Sequence, residues 1–131
     1  MCSPANNVAR RLVELLDTIE FVSPECTLYV VGRAAVGRFR GFEPAWIRVV
    51  GGLAAPALLD ELELQGVPPM RVSSLSAKGQ SLSVAHHEDA ACPVNLLFVP
   101  DRPASHRPTN LVTGRPVDMV GADRFRRGTT S

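Results

Sequence analysis

Apolar residues recur at helical spacing near the start of the chain. Between residues 5 and 20, the apolar positions are Val8, Leu12, Leu15, Leu16 and Ile19, and most charged side chains fall between them. This spacing places them on one side of an α-helix. The pattern stops at Ser23-Pro24, so we expect an amphipathic N-terminal helix that ends there.

The clearest unit of the chain is a strand, a helix and a second strand. Residues 46–50 and 70–75 are rich in β-forming residues, and residues 53–65 between them have an apolar and an acidic side. Gly66 stands where a helix C-cap glycine belongs. If the two strands are parallel, their connection should be right-handed.

Further short runs predict the rest of a sheet. Strands are expected at 27–31, at 81–85 as the second half of a hairpin, at 94–99, and around 117–120. Together with the two expected helices, these runs predict an α+β fold. We expect a ferredoxin-like α/β sandwich with a mixed or antiparallel sheet and helices on one face, preceded by an N-terminal helix and strand.

The composition narrows the class of protein. With 131 residues and 45% hydrophobic residues, the chain is expected to be one domain with a core of its own. The formal net charge is only +1, and this low value argues against non-specific nucleic-acid binding. Thirteen of the fourteen basic residues are arginine. Three widely spaced cysteines without a CxxC motif, and no apolar run long enough to cross a bilayer, favour a cytoplasmic protein that is not in a membrane.

The strand–helix–strand unit and its surroundings resemble a known family. Val49-Val50-Gly51-Gly52 precedes the helix, Gly66-Val67-Pro68-Pro69-Met70 follows it, and Arg124-Phe125-Arg126 comes near the end. Over residues 46–129 this order is similar to that of the nitrogen-regulatory PII signalling proteins. The resemblance divides the chain into an extension (1–45), a PII-like core (46–125) and a flexible tail (126–131).

The resemblance implies a regulatory protein that is not an enzyme. Members of that family are homo-oligomers, namely trimers, which bind adenine nucleotides such as ATP or ADP between subunits and contact a protein partner. Carried over, Gly79 and Gln80 would begin the mobile loop. The phosphate-binding residues would be Thr113, Gly114, Arg115, Arg124 and Arg126.

A second segment gives an alternative. Gly32-Arg33 and the glycines as far as Gly41 resemble the loop of minimal nucleotidyltransferases, in which Gly-Ser is followed by a strand with two aspartates. Arg33 replaces the serine, and residues 43–48 contain no aspartate to hold Mg²⁺. The alternative is therefore a catalytically degenerate nucleotidyltransferase-like partner protein, and a structural or adaptor subunit is a third hypothesis.

A polar cluster raises the question of a metal. His86, His87, Glu88, Asp89 and Cys92 are all of metal-ligating types. Adjacent residues of a strand point to opposite faces, so the two histidines are not expected to meet one ion. The sequence therefore leaves metal binding by this cluster open and singles out no catalytic residue.

Overall fold

The computed structural model describes residues 4–38, 43–77, 80–88, 92–99 and 118–130. Within them, the helices are α1 (Pro4–Val22), α2 (Ala55–Leu64) and α3 (Ala122–Thr130), and a 3₁₀-helix covers Gly32–Val36. The strands are β1 (Thr27–Val31), β2 (Ala45–Val50), β3 (Arg71–Ala77), β4 (Gln80–His87), β5 (Val94–Val99) and β6 (Met119–Gly121). The elements expected from hydrophobic periodicity are thus present at nearly the expected positions.

The strands form one mixed sheet in the order β3-β4-β5-β2-β1-β6. Neighbours are antiparallel except for β2 and β5, which run parallel. The predicted β3–β4 hairpin is confirmed. Strands β2 and β3, which the α2 connection joins, point the same way but have β5 and β4 between them.

All three helices contribute to one core on one face of the sheet. Fully buried residues of α1 and α2 meet fully buried residues of the central strands in a single apolar cluster: Leu12, Leu16, Ile19, Leu58, Leu62, Ile47 and Leu96. Ala122 and Phe125 of α3 join the same cluster. The predicted α+β sandwich with helices on one face is therefore confirmed. Each such side chain contributes about 1.5–3 kcal/mol by leaving water.

The ends of α2 follow from local chemistry. Pro56 lies in the first turn, where its missing N–H has no helical partner to lose. At the other end Gly66 has φ +92°, and the N–H groups of Gly66 and Val67 donate to the carbonyls of Glu63 and Leu62, both at 3.0 Å. This pair of bonds is a Schellman motif, which ends the helix where the sequence predicted.

The opposite face of the sheet, called here the helix-free face, carries no helix of the described residues. It is formed by alternate residues of each strand. A second apolar cluster on this face consists of Leu82, Val84, Leu97 and Val99, with Val50 and Leu75 at its edge. The sheet is thus apolar on both sides, and the polar residues of the helix-free face stand out.

The end of the chain differs from the prediction. Residues 126–131 were expected to be a flexible tail, but as far as Thr130 they belong to α3. Arg126 bonds to carboxylates of α1, and Phe125 is buried, so this segment is anchored by both of its sides. No helix of the described residues is long and apolar enough to span a membrane.

Candidate functional site

The turn after β1 places a short 3₁₀-helix beside β2. Gly32 has φ +77°, a conformation that favours glycine, and its N–H donates to the carbonyl of Asp118 at 2.8 Å. Gly37 caps the other end in the left-handed conformation and donates to Ala34. Ala34 is buried in the main core, so the 3₁₀-helix is held between β1, β2 and β6.

Strand β2 alternates between the two faces of the sheet. Ala45, Ile47 and Val49 are buried in the main core, so Trp46 and Arg48 point to the helix-free face. Trp46 is directly opposite Val31, the last residue before the 3₁₀-helix. Any ligand approaching this corner would meet an indole ring and a guanidinium group.

The charges at this corner do not suit a pair of metal ions. Arg48 Nη1 donates to the sulfur of Met119 at 3.9 Å, and β2 carries no carboxylate. The nearest acid in sequence, Glu43, makes a salt bridge of 3.4 Å with Arg33, and both side chains are exposed. Among the described residues, no group of three metal-ligating side chains is present. Strand β2 therefore supplies none of the carboxylates that hold the two Mg²⁺ ions in nucleotidyl transfer.

The two histidines of β4 point to opposite faces, as the sequence predicted. His86 lies on the helix-free face, where Nε2 is 2.7 Å from Ser73 Oγ and Nδ1 is 2.8 Å from Asn95 Oδ1. His87 lies on the helix side and lines a cavity together with Cys92. The described members of the polar cluster 86–92, for which metal binding was left open, are thus divided between two places, and Asp89 lies outside the described residues.

The cavity that His87 lines has a volume of about 830 Å³. It lies between α1, the segment 66–69 and the end of β4, and its polar lining residues include Arg11, Glu14 and Glu88. This is the helix side of the sheet, away from the 3₁₀-helix. The cavity and the corner formed by Trp46 and Arg48 are therefore separate features.

The residues predicted to bind phosphate are only partly within the described part of the chain. Gly79, Thr113, Gly114 and Arg115 lie outside it, and Gln80 is the first residue of β4. Arg124 is exposed on α3. Their role in nucleotide binding stays a prediction.

Arg126, also predicted to bind phosphate, is surrounded by carboxylates of the protein. Its guanidinium donates to Asp17 at 2.7 Å, to Glu20 at 2.8 Å and to Asp123 at 2.8 Å. Burial alone lowers the pKa of Arg126, but the hydrogen bonds to Glu20 and Asp17 and the charges of both carboxylates raise it above its ordinary value. A phosphate at this position would have to compete with three carboxylates.

Two polar residues of the helix-free face were not singled out by the sequence. Ser73 and Asn95 are polar residues within strands, and Asn95 is only 8% exposed. Alternation shows that each lies on a defined face, but only the strand order brings both to His86. The signal in the sequence that could have pointed to them was a polar residue at a strand position where an apolar residue is expected.

Known proteins resemble the chain in fold only. No family model and no curated protein sequence matches it. A solved structure of the Cid1 poly(U) polymerase with bound MgGTP matches with a TM-score of 0.50 and 12% sequence identity. The match covers 75% of this chain and 33% of that chain, so this protein spans about a third of the polymerase's length. At this identity the likeness concerns the fold.

Proposed function

We propose that this protein is a nucleotidyltransferase-like domain that has no transferase activity and serves as a partner protein. The observation that carries the proposal is the identity of the two residues of β2, the strand that contacts the 3₁₀-helix, that point to the helix-free face. They are Trp46 and Arg48, where a transferase of this kind needs carboxylates.

The arrangement of the corner supports the first half of the proposal. The glycine-bounded segment Gly32–Gly37 follows β1 and packs beside β2, as expected for a nucleotidyltransferase-like loop. The polymerase that matches in fold is a protein whose structure contains MgGTP. Together these features support the proposal that the chain is a nucleotidyltransferase-like domain.

Electrostatics support the second half. Transfer of a nucleotidyl group needs metal ions to neutralise charge on the phosphates, and carboxylates to hold those ions. A guanidinium at position 48 repels a cation, and Glu43 is already paired with Arg33. A chain with this charge pattern keeps the fold and loses the two-metal chemistry.

A primer-extension assay tests the proposal. The purified chain is incubated with an RNA primer, each of the four nucleoside triphosphates, and Mg²⁺ or Mn²⁺. We expect no incorporation above the buffer background, and the same result for Arg48→Ala. Metal-dependent incorporation by the wild-type chain that is lost in Arg48→Ala would overturn the proposal.

Regulation through ATP or ADP, as in the PII-like proteins, remains a second proposal. It is favoured by the exposed guanidinium of Arg124 on α3. It predicts that millimolar ATP or ADP raises the melting temperature and that Arg124→Glu abolishes the shift. If neither nucleotide shifts the melting temperature of the wild-type chain, regulation through ATP or ADP is rejected.

A further inference from the structure

Three polar side chains of the helix-free face form a continuous hydrogen-bonded array. Ser73, His86 and Asn95 lie on the adjacent strands β3, β4 and β5. His86 and Asn95 are direct partners across β4 and β5, and Ser73 is two residues beyond Arg71, the partner of His86. Strand order therefore brings together residues that are 13 and 9 positions apart.

The direction of the two hydrogen bonds defines the state of the imidazole. The amide oxygen of Asn95 can only accept, so Nδ1 of His86 carries the proton and donates it. In the neutral imidazole, Nε2 then carries the lone pair and can accept from the hydroxyl of Ser73, which lies 2.7 Å away. This is the relation of nucleophile, base and orienting group that activates a serine.

The three side chains of the array, Ser73, His86 and Asn95, are buried to different extents. Asn95 is 8% exposed, which restricts its amide to the position facing His86. Ser73 and His86 are half-buried, and β3 is the last strand at its side of the described sheet. The orienting group is thus inside the protein, and the hydroxyl is within reach of a molecule that approaches along the edge of the sheet.

We propose that Ser73 is the nucleophile of an esterase-like site, with His86 as general base and Asn95 as a positioning residue. Ser73 Oγ attacks the carbonyl carbon of a carboxylic ester while its proton passes to Nε2. The C–O bond to the alcohol then breaks, and the alcohol leaves with that proton. Water, deprotonated by Nε2, cleaves the acyl-serine to the free acid and restores the hydroxyl.

The neighbourhood suggests the class of ester. Trp46 is the register partner of Asn95 on β2, and this residue, which points to the same face, is 37% exposed. It offers an apolar surface beside the array, which suits an ester with an aromatic or other apolar group. Arg71 and Glu88, joined by a salt bridge of 3.2 Å, lie on the outer side.

Labelling with a fluorophosphonate tests the nucleophile directly, because the reagent reacts with activated serines. Peptide mapping by mass spectrometry identifies the modified residue. We expect labelling at Ser73, loss of labelling in Ser73→Ala, and a fall of about 10²-fold or more in the rate for His86→Gln. Ser74→Ala is the matched control, since Ser74 is exposed on the other face of the same strand, and it should label as wild type.

The role of Asn95 needs a readout that packing alone would not change. Asn95→Asp keeps an acceptor at Nδ1 and should retain labelling, whereas Asn95→Leu should lose it while circular dichroism shows that both variants are folded.

Three results of the labelling experiment would overturn the proposal. They are no labelling of the wild-type chain, labelling spread equally over several serines, or equal rates in wild type and His86→Gln. Hydrolysis of p-nitrophenyl or naphthyl esters that persists in Ser73→Ala would likewise reject Ser73 as the nucleophile. The assay contains neither nucleotide nor metal, so its outcome is independent of the proposed loss of nucleotidyl transfer.

Discussion

Arg126 of α3 donates to Asp17 of α1 at 2.7 Å, and this contact joins the two ends of the chain. The same guanidinium also donates to Glu20 of α1 at 2.8 Å. The side chain of Arg126 is 21% exposed, while its partners are more exposed. The network fixes α3 against α1 on the helix side of the sheet.

We expect Arg126→Ala to lower the free energy of unfolding by about 1 kcal/mol, because partly exposed pairs contribute little each and water screens them. The measurement is urea denaturation followed by circular dichroism. Arg124→Ala is the matched control on the same helix, and it should be close to neutral.

The effects of pH and salt on stability distinguish the ion pairs of Arg126 from apolar packing. The folded pKa of Arg126 is above its unfolded value, so its stabilising effect is fully present below the unfolded pKa and is lost only in strong alkali. The difference between wild type and Arg126→Ala should therefore be insensitive to the titration of this arginine near neutral pH, and should shrink with added salt. A difference that persists unchanged in high salt would contradict an electrostatic origin.

Hydrophobic periodicity predicted most of the elements because each is encoded by residues close in sequence. The apolar residues of α1 recur at helical spacing, and the run 94–99 is apolar except for Asn95 because both faces of this central strand are buried. The strand order could not be predicted in this way. The parallel pairing of β2 with β5 joins residues about fifty positions apart, and no local pattern specifies it.

The same distinction between local patterns and strand order explains which parts of the candidate site could be predicted from the sequence. The sequence showed that β2 lacks aspartate and that adjacent histidines diverge, since both statements concern neighbours along one strand. It did not connect Ser73 and Asn95 to His86, because that array depends on the order of three strands. Two of the three acceptors of Arg126, Asp17 and Glu20, lie about a hundred positions away on α1, so only Asp123 could be expected from local sequence.

Gly52 is expected to tolerate no side chain. Its φ is +73°, and an added Cβ would overlap the hydroxyl oxygen of Ser23 and lie 2.7 Å from Cβ of Cys26. Ser23 is itself needed there, because its hydroxyl accepts from the N–H of Leu53 at 3.0 Å. Gly52→Ala should therefore cost more than the roughly 1–2 kcal/mol of left-handed strain alone.

Gly37→Ala provides the matched control for Gly52→Ala. Gly37 has a similar φ of +77°, but nothing lies within 4 Å of its added Cβ. The difference between the two variants in chemical denaturation measures the steric term alone. Equal losses of stability would show that the contact with Ser23 is relieved at no cost.

Cys26 is expected to react slowly with alkylating agents. Burial raises the pKa of its thiol, the hydrogen bond from Ser23 opposes this, and the charge of Glu20 adds to it. Because only the thiolate is nucleophilic, a raised pKa leaves less reactive thiolate at a given pH. The pKa of the Cys26 thiol is higher in the folded than in the unfolded chain. Its contribution to the free energy of unfolding is therefore fully present below the unfolded pKa and is lost as pH rises through the folded pKa.

The measurement for Cys26 is the rate of iodoacetamide modification, read by peptide mapping over a series of pH values. The folded chain should react more slowly than the urea-unfolded chain at neutral pH, with a rise displaced to higher pH. Coincident pH profiles for the folded and unfolded chains would refute the raised pKa.

Restoring carboxylates on β2 should create a cation site. Trp46 and Arg48 are two residues apart on one face of the strand, about 6.6 Å along the chain, which allows two carboxylates to share the same ion. We expect Trp46→Asp combined with Arg48→Asp to bind Mn²⁺ saturably, seen as paramagnetic broadening of NMR signals from β2 and the 3₁₀-helix. The wild-type chain, with its guanidinium at this position, should show none.

The matched control places the same pair of carboxylates on another strand. Ser74 and Ser76 of β3 are both exposed and equally spaced, but they lie far from the 3₁₀-helix in the strand order. If the corner beside the 3₁₀-helix retains the geometry of a metal-binding site, Ser74→Asp with Ser76→Asp should bind Mn²⁺ more weakly than the β2 pair. Equal affinity of the two double variants would mean that any exposed pair of aspartates suffices, and it would remove the main support for a nucleotidyltransferase-like origin of this corner.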